Sequence, residues 1–389
     1  MKQKLEEICE LIVDCPHSTA QDEGIGFPLI RTPNVGKGRL ILDGVHRVSE
    51  DVYKKRTQRA IPQTNDLIMA REAPAGNVAI IKGNENVCLG QRTVLIRPNV
   101  NKVYPDYLVY YLLAPQQQYE LLGTANGATV AHVNIPVIRN LPVNLPSYTK
   151  QIKIADVLLD FDDLIENNQK QIKLLEEAAQ RLYKEWFVDL RFPDHEHTAI
   201  VDGVPEGWCR KKLIDIADIV MGQSPKSEYY NIKNNGLPFH QGVGSYGNRF
   251  VVDNTYTSSY TRIAKESSIL FSVRAPVGRI NLTKKKIAIG RGLAAINAHN
   301  NQQSYLFYLL KEKFYKDDII GNGSIFSSIT KEELCNQEVF CPPSSLEFLF
   351  NDYSTNIDRK IALLDDQTKR LIEARDRLLP KLMSGEMEV

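Results

Sequence analysis

Between residues 158 and 186 apolar side chains return every seven positions, at Leu158, Ile165, Ile172, Ala179 and Trp186. Phe161, Leu175 and Leu182 fill the complementary position, with Asn168 as the polar exception. The rhythm reappears near the end of the chain in Ile357, Ile361, Leu364, Leu371, Leu378 and Leu382, interrupted by Thr368 and Arg375. A narrow stripe of period seven opposite a charged face predicts two long helices of coiled-coil type, the first over residues 148–186. Asn168 inside such a seam fixes register at some cost in stability. The stripes also suit two helices that each cover the core of their own domain. Elsewhere the pattern is shorter. Val78-Ala79-Ile80-Ile81 and Thr93-Val94-Leu95-Ile96 are apolar runs bounded by Gly, Pro and Asn, the signature of buried strands. Short helices are expected over 105–113 and 303–313. Leu145-Pro146-Ser147 and Cys341-Pro342-Pro343-Ser344 precede the long helices, where proline can open a helix but not continue one. Phe192-Pro193 and Gly203-Val204-Pro205-Glu206-Gly207 end the first helix and lead into a second mixed domain.

The chain is written twice. Leu67-Ile68 and Ala73-Pro74-Ala75-Gly76 match Ile269-Leu270 and Ala275-Pro276-Val277-Gly278. Leu89-Gly90-Gln91-Arg92 matches Ile289-Gly290-Arg291-Gly292, and Tyr111-Leu112-Leu113 matches Tyr308-Leu309-Leu310. Gly127, Asn140, Val143 and Pro146 answer Gly323, Asn336, Val339 and Pro342, while Phe27-Pro28-Leu29 answers Leu237-Pro238-Phe239. Single matches are turn chemistry, but their common order and an offset drifting from 210 to 196 imply a tandem duplication. Each copy is a mixed domain followed by a long helix.

Composition narrows the class. Hydrophobic residues make up 43% and charged residues 24% of the 389, the balance of a globular protein with real cores. No stretch approaches the ~18 uninterrupted apolar residues of a membrane span. The start, MKQKLEEICE, has no apolar signal region, and the six cysteines show no CxxC pair, so reduced thiols in a cytoplasm are expected. No phosphate loop or [DN]-P-P-[YF] tetrapeptide is present, and neither Pro105-Asp106 nor Pro193-Asp194 is followed at suitable distance by an acidic-x-Lys triplet. His195-Glu196-His197 directly follows a helix end and reads as a solvated polar turn. A catalytic centre or metal site is therefore not expected.

The net charge of +1 conceals segregation along the chain. Residues 26–97 hold 12 Lys and Arg against 6 acids, and 226–291 hold 11 against 3. The helical segments 148–189 and 346–389 reverse this, with 6 against 9 and 7 against 9. Two basic blocks alternating with acidic helices point to nucleic acid, since Lys and Arg neutralise phosphates while Arg, Asn, Gln and His read base edges. The first block nominates Arg31, Asn34, Lys37, Arg39, Lys54, Lys55, Arg56, Arg71 and Arg92. The second nominates His240, Gln241, Tyr246, Asn248, Arg249, Arg274, Arg279 and Arg291. Gly242, Gly244 and Gly247 would let backbone approach a groove wall. The loops between Phe27 and Asn65 and between Leu237 and Ser267 share little, although the scaffolds match. Two diverged readers imply an asymmetric, two-part target. A structural scaffold whose basic blocks bind RNA or anionic proteins is the competing class.

This organisation resembles the specificity subunits of type I restriction–modification enzymes. Leu174-Leu175 through Arg181-Leu182-Tyr183-Lys184-Glu185-Trp186-Phe187-Val188-Asp189, then Phe192-Pro193, is similar to the central conserved region of that family. Ile372 through Arg377-Leu378-Leu379-Pro380-Lys381-Leu382-Met383-Ser384-Gly385-Glu386 is similar to the distal one. The resemblance implies an α+β chain with target recognition domains at 1–146 and 208–342, a linker at 192–207, and conserved helices at 147–191 and 343–389 packed as an antiparallel coiled coil. It further implies double-stranded DNA as ligand and no cofactor in this chain. Two modification subunits using S-adenosylmethionine and two restriction subunits using ATP and Mg would dock on it. A related bifunctional restriction system would use a similar specificity part. Recognition domains vary within the family, so base-contact residues do not transfer.

Overall fold

The computed structural model describes residues 3–83, 86–123, 132–314 and 328–389; the Gly127–Gly323 match lies outside them. The chain divides into two units, Met1–Gln169 with Asp366–Val389, and Lys170–Asp365. Each therefore holds one mixed domain and a segment of both long helices.

In the first unit a five-stranded sheet runs in the order Cys9–Asp14, Thr93–Pro98, Leu67–Ala70, Val78–Ile80 and Gly38–Arg39, antiparallel except for the last pair. Its two faces alternate with period two, as pleating demands. Leu67, Met69, Val94 and Ile96 enter a core with the helix Pro105–Leu113. Ile68, Ala70, Ala79 and Leu95 face a second core that holds Ile30 and Leu89. Those two belong to a smaller sheet, Arg47–Val48, Phe27–Ile30 and Cys88–Leu89, in which the latter two strands run parallel. The central strand is covered on both faces, which explains why its sequence is a run and not an alternation.

The second unit repeats this arrangement. Ala217–Met221, Leu293–Ala298, Ile269–Ser272 and Ile280–Leu282 form the antiparallel sheet. Leu237–His240 pairs in parallel with Ile287–Ile289 inside a five-stranded one. Ile269, Phe271, Ala294 and Ile296 meet the helix Gln303–Phe314, while Leu270, Leu293 and Ala295 face the other sheet. The expected duplication and the α+β architecture are both present. One match moves: the paired helices start at Pro105 and Gln303, so Tyr110, not Tyr111, is the counterpart of Tyr308.

The long helices span Tyr148–Phe187 and Ser344–Ser384, each about 60 Å at 1.5 Å per residue. The first ends five residues before the Phe192-Pro193 pair expected to stop it, and Pro380 lies inside the second. Leu158, Ile165, Ala179, Trp186, Ile361, Leu364 and Leu382 are buried, together with Asn168 and Thr368. In the first unit Leu158 shares a core with Leu378 and Leu382, and Arg375 reaches Asp162 at 2.6 Å. In the second, Trp186 stacks edge-on against Phe350 and Tyr353, at centroid separations of 5.9 and 6.1 Å. Within each unit one helix segment therefore runs antiparallel to the other. The same segments also cover the domain: Ile154, Ala155 and Leu158 sit in the first core, and Ala179, Tyr183 and Trp186 in the second. The two readings of the heptad stripe, helix pairing and core cladding, are both true of each unit.

Candidate nucleic-acid interface

Several nominated residues face inward. Arg56 ends the helix Glu50–Arg56 and donates to the Leu89 carbonyl at 2.7 Å and the Ser18 carbonyl at 3.0 Å. Burial pushes its pKa down, because desolvation penalises the charged form. Arg71 is buried, its Nη1 donates to both Asp14 carboxylate oxygens at 3.0 and 3.1 Å, and its Nε donates to the Val133 carbonyl at 2.9 Å. Arg39 bonds Asp163 and Glu166 on the first long helix. Asn34 ties its own loop, accepting from the Arg31 backbone N–H and donating to the Ile41 carbonyl.

In the second unit His240 is buried between the Ser245 hydroxyl at 2.8 Å and Asp253 at 2.9 Å. Arg249 pairs with Glu176 and Asp358, and its guanidinium lies 4.5 Å from the Phe307 ring centroid. A buried cation is tolerated only with such partners. Tyr246 is half-buried, and burial pushes its hydroxyl pKa up. The glycine-rich loop is open at Gly242 and Gly244, whereas a Cβ on Gly247 would strike the Phe250 carbonyl at 2.6 Å.

The exposed remainder comprises Lys37, Lys54, Lys55, Arg92, Gln241, Asn248, Arg274 and Arg291, with Arg31 and Arg279 half-buried. Lys54 pairs with Glu50 one helical turn away at 2.8 Å, a surface contact that water and salt screen. Arg92 pairs with Glu72 at 2.9 Å. His195–His197 is a short 3-10 turn in which His197 contacts Asp194 at 2.8 Å.

One place is built alike in the two units. The parallel pairing sets Ile30 opposite Leu89, and His240 opposite Ile289. Just beyond, the Gly90 N–H donates to the Ile30 carbonyl at 2.8 Å, and the Gly290 N–H to the His240 carbonyl at 2.8 Å. Both turns need glycine: a Cβ on Gly90 would sit 3.1 Å from Arg31 Cα, and one on Gly290 3.1 Å from Gln241 Cα. Around this corner stand His17, Arg31, Gln91 and Arg92 in the first unit, where Gln91 Nε2 donates to the His17 carbonyl at 2.9 Å. Gln223, Ser224, Gln241 and Arg291 stand there in the second, where the Arg291 N–H donates to the Ser224 hydroxyl at 3.1 Å. Sequence reasoning did not nominate Gln91 or Ser224. The signal for Gln91 was its place in the repeat match beside Gly90. The corner is a polar, partly basic surface on a stiff crossing of two strands, suited to present amide and guanidinium groups to a nucleic acid.

A family model described as the type I restriction modification DNA specificity domain matches residues 1–177 and again 205–373. The chain belongs to the type I restriction–modification DNA specificity family. It is 29% identical over its whole length to a Methanocaldococcus jannaschii protein carrying the provisional name type I restriction enzyme MjaX specificity subunit, 93% of which is covered. The type I restriction enzyme HindI specificity subunit of Haemophilus influenzae is 23% identical over 83% of this chain and 86% of its own. The fold is that of the type I S subunit from M. genitalium, with a TM-score of 0.61 over 98% of this chain and 95% of that one, at 15% identity. Specificity subunits are the non-catalytic DNA-recognition components of type I systems. Among the described residues no helix is long and apolar enough to cross a membrane.

Proposed function

We propose that this chain reads a bipartite, asymmetric site in double-stranded DNA, one half through each unit, with the long helices setting the gap between the halves. Two modification subunits, supplied with S-adenosylmethionine, would methylate adenine in the bound site. Two restriction subunits using ATP and Mg would complete the assembly in the cytoplasm, this chain itself needing no cofactor. The DNA-contact set is drawn from the exposed groups Lys37, Lys54, Lys55, Arg92, Gln241, Asn248, Arg274 and Arg291, with the half-buried Arg31 and Arg279. Arg39, Arg56, Arg71, His240 and Arg249 brace the loops that carry them. The observation that carries this reading is the corner at Gly90 and Gly290, built with one backbone hydrogen bond in both units but furnished with different side chains. A symmetric reader would keep the two corners identical.

The test is a domain exchange. Replacing residues 1–145 with the matching domain of another specificity subunit, in the assembled methyltransferase, should change one half of the methylated motif and leave the other intact. If both halves change together, the two-reader assignment is wrong. If an RNA competitor displaces duplex DNA at equal concentration, the ligand is misassigned.

A further inference from the structure

With the internally bound charges set aside, two pairs of side chains flank the shared corner. In the first unit Arg31 follows Ile30 and Gln91 follows Gly90; in the second Gln241 follows His240 and Arg291 follows Gly290. The hydrogen bonds from Gly90 to Ile30 and from Gly290 to His240 make the strand-end and turn positions equivalent. Those two positions carry arginine and glutamine in opposite order. The wedged glycines press each turn against the strand end, since a Cβ on Gly90 would also meet Arg31 Cγ at 2.7 Å. The backbone positions of each pair therefore lie close together at the corner.

Their surroundings leave each of them free hydrogen-bonding capacity: Gln91 gives one amide hydrogen to the His17 carbonyl and keeps the other. Gln241 and Arg291 are exposed, Arg31 and Gln91 half-buried. The Arg31 Nε is buried, and neither arginine joins a salt bridge among the described residues. In the second unit the Ser224 hydroxyl lies between Gln241 Nε2, at 3.5 Å, and the Arg291 N–H. Thr261 donates to the Gln223 amide oxygen at 3.2 Å alongside. A guanidinium forks onto guanine O6 and N7, and a carboxamide onto adenine N6 and N7. A stiff platform that carries both kinds of group at adjoining backbone positions is equipped to read two neighbouring bases.

We propose that Arg31 with Gln91, and Gln241 with Arg291, are the base-reading pairs of the two units, each taking one guanine and one adenine. The order of the two bases is reversed between units, relative to each unit's own frame. This assignment rests on the two-reader function above and adds to it which residues select the bases.

The experiment uses the subunit assembled with its methyltransferase partner, a DNA library randomised over both half-sites, and sequencing of the methylated products. Arg31→Ala and Gln91→Ala should each relax one base pair of the same half-site, lowering the preference there by roughly 5- to 150-fold. Gln241→Ala and Arg291→Ala should do the same in the other half. Arg291→Lys keeps the charge but loses the planar fork, so it should relax the same position as the alanine variant. As the mildest change, it also decides the matter if an alanine variant is unstable.

Unaltered base preference overturns the proposal. So does a uniform loss on all sequences that Arg291→Lys restores, which would mark a phosphate contact. The two levels fail separately. If the domain exchange alters one half-site while the point variants relax nothing, only the pairs are misassigned. If Arg31→Ala relaxes bases in both half-sites, the two-reader function itself falls.

Discussion

Replacing Arg249 by methionine should destabilise the second unit without acting on DNA contacts directly. The guanidinium is 3% exposed, and faces Asp358 and Glu176, whose side chains are 18% and 26% exposed. Tyr308 also donates to Asp358, at 2.8 Å. Methionine fills much of the volume against Phe307 but leaves two carboxylates turned toward one another without a cation. Breaking a fully buried ion pair from one side costs about 3–5 kcal/mol. Both acids retain some water here, so the expected loss is about 2–4 kcal/mol. For a unit of this size that is a fall of roughly 5–15 °C in Tm. The assay is thermal unfolding of the purified subunit with its parent. Adding Asp358→Asn to the variant should recover part of the loss, as coupled neighbours do. A Tm within a degree of the parent would refute the reasoning. If that came with lost sequence selectivity, Arg249 would be a reader and not a brace.

Two further outcomes are expected. Lys54→Gln with Lys55→Gln should weaken binding of the assembled methyltransferase to all DNA sequences alike; fluorescence titration across salt concentrations should give a log–log slope shallower by about one per lost phosphate contact. An unchanged slope would place that helix face away from DNA. Seven residues inserted between Gln169 and Lys170, matched by seven between Asp365 and Asp366, preserve the heptad seam and lengthen both helices by about 10.5 Å. The methylated motif should then gain a gap of roughly three base pairs, at about 3.4 Å each, with the half-site bases unchanged; an unchanged gap would end the ruler assignment.

Much of the architecture was legible along the chain because its signals are local or periodic. Heptad spacing at Leu158, Ile165 and Ala179 is a property of one helix, and it led to Tyr148–Phe187 within a residue of its observed end. Pro105 opened a helix where its fixed φ and missing N–H suit the first turn. The scaffold matches survived duplication because buried strands at Leu67–Ala70 and Ile269–Ser272 must fill equivalent cores. The shift from Tyr111 to Tyr110 as the partner of Tyr308 shows the limit. Tyr111-Leu112-Leu113 repeats Tyr308-Leu309-Leu310 letter for letter, yet the hydroxyls reveal the other frame, Tyr110 donating to Asp162 and Tyr308 to Asp358.

The sequence by itself determined the duplication, the two long helices and the family, because repeats, heptads and conserved-like helix segments are written in consecutive residues. Tertiary structure alone decided which charges face water. Arg56 and Lys55 are neighbours in one basic run, yet the helix from Glu50 turns Arg56 onto the Leu89 and Ser18 carbonyls and leaves Lys55 in solvent. Arg249 and Asn248 part in the same way. The carboxylates and carbonyls that hold these arginines lie dozens of residues away, so no window of sequence contains both halves of the bond. The corner at Gly90 and Gly290 likewise exists only where parallel strands far apart in the chain are brought side by side.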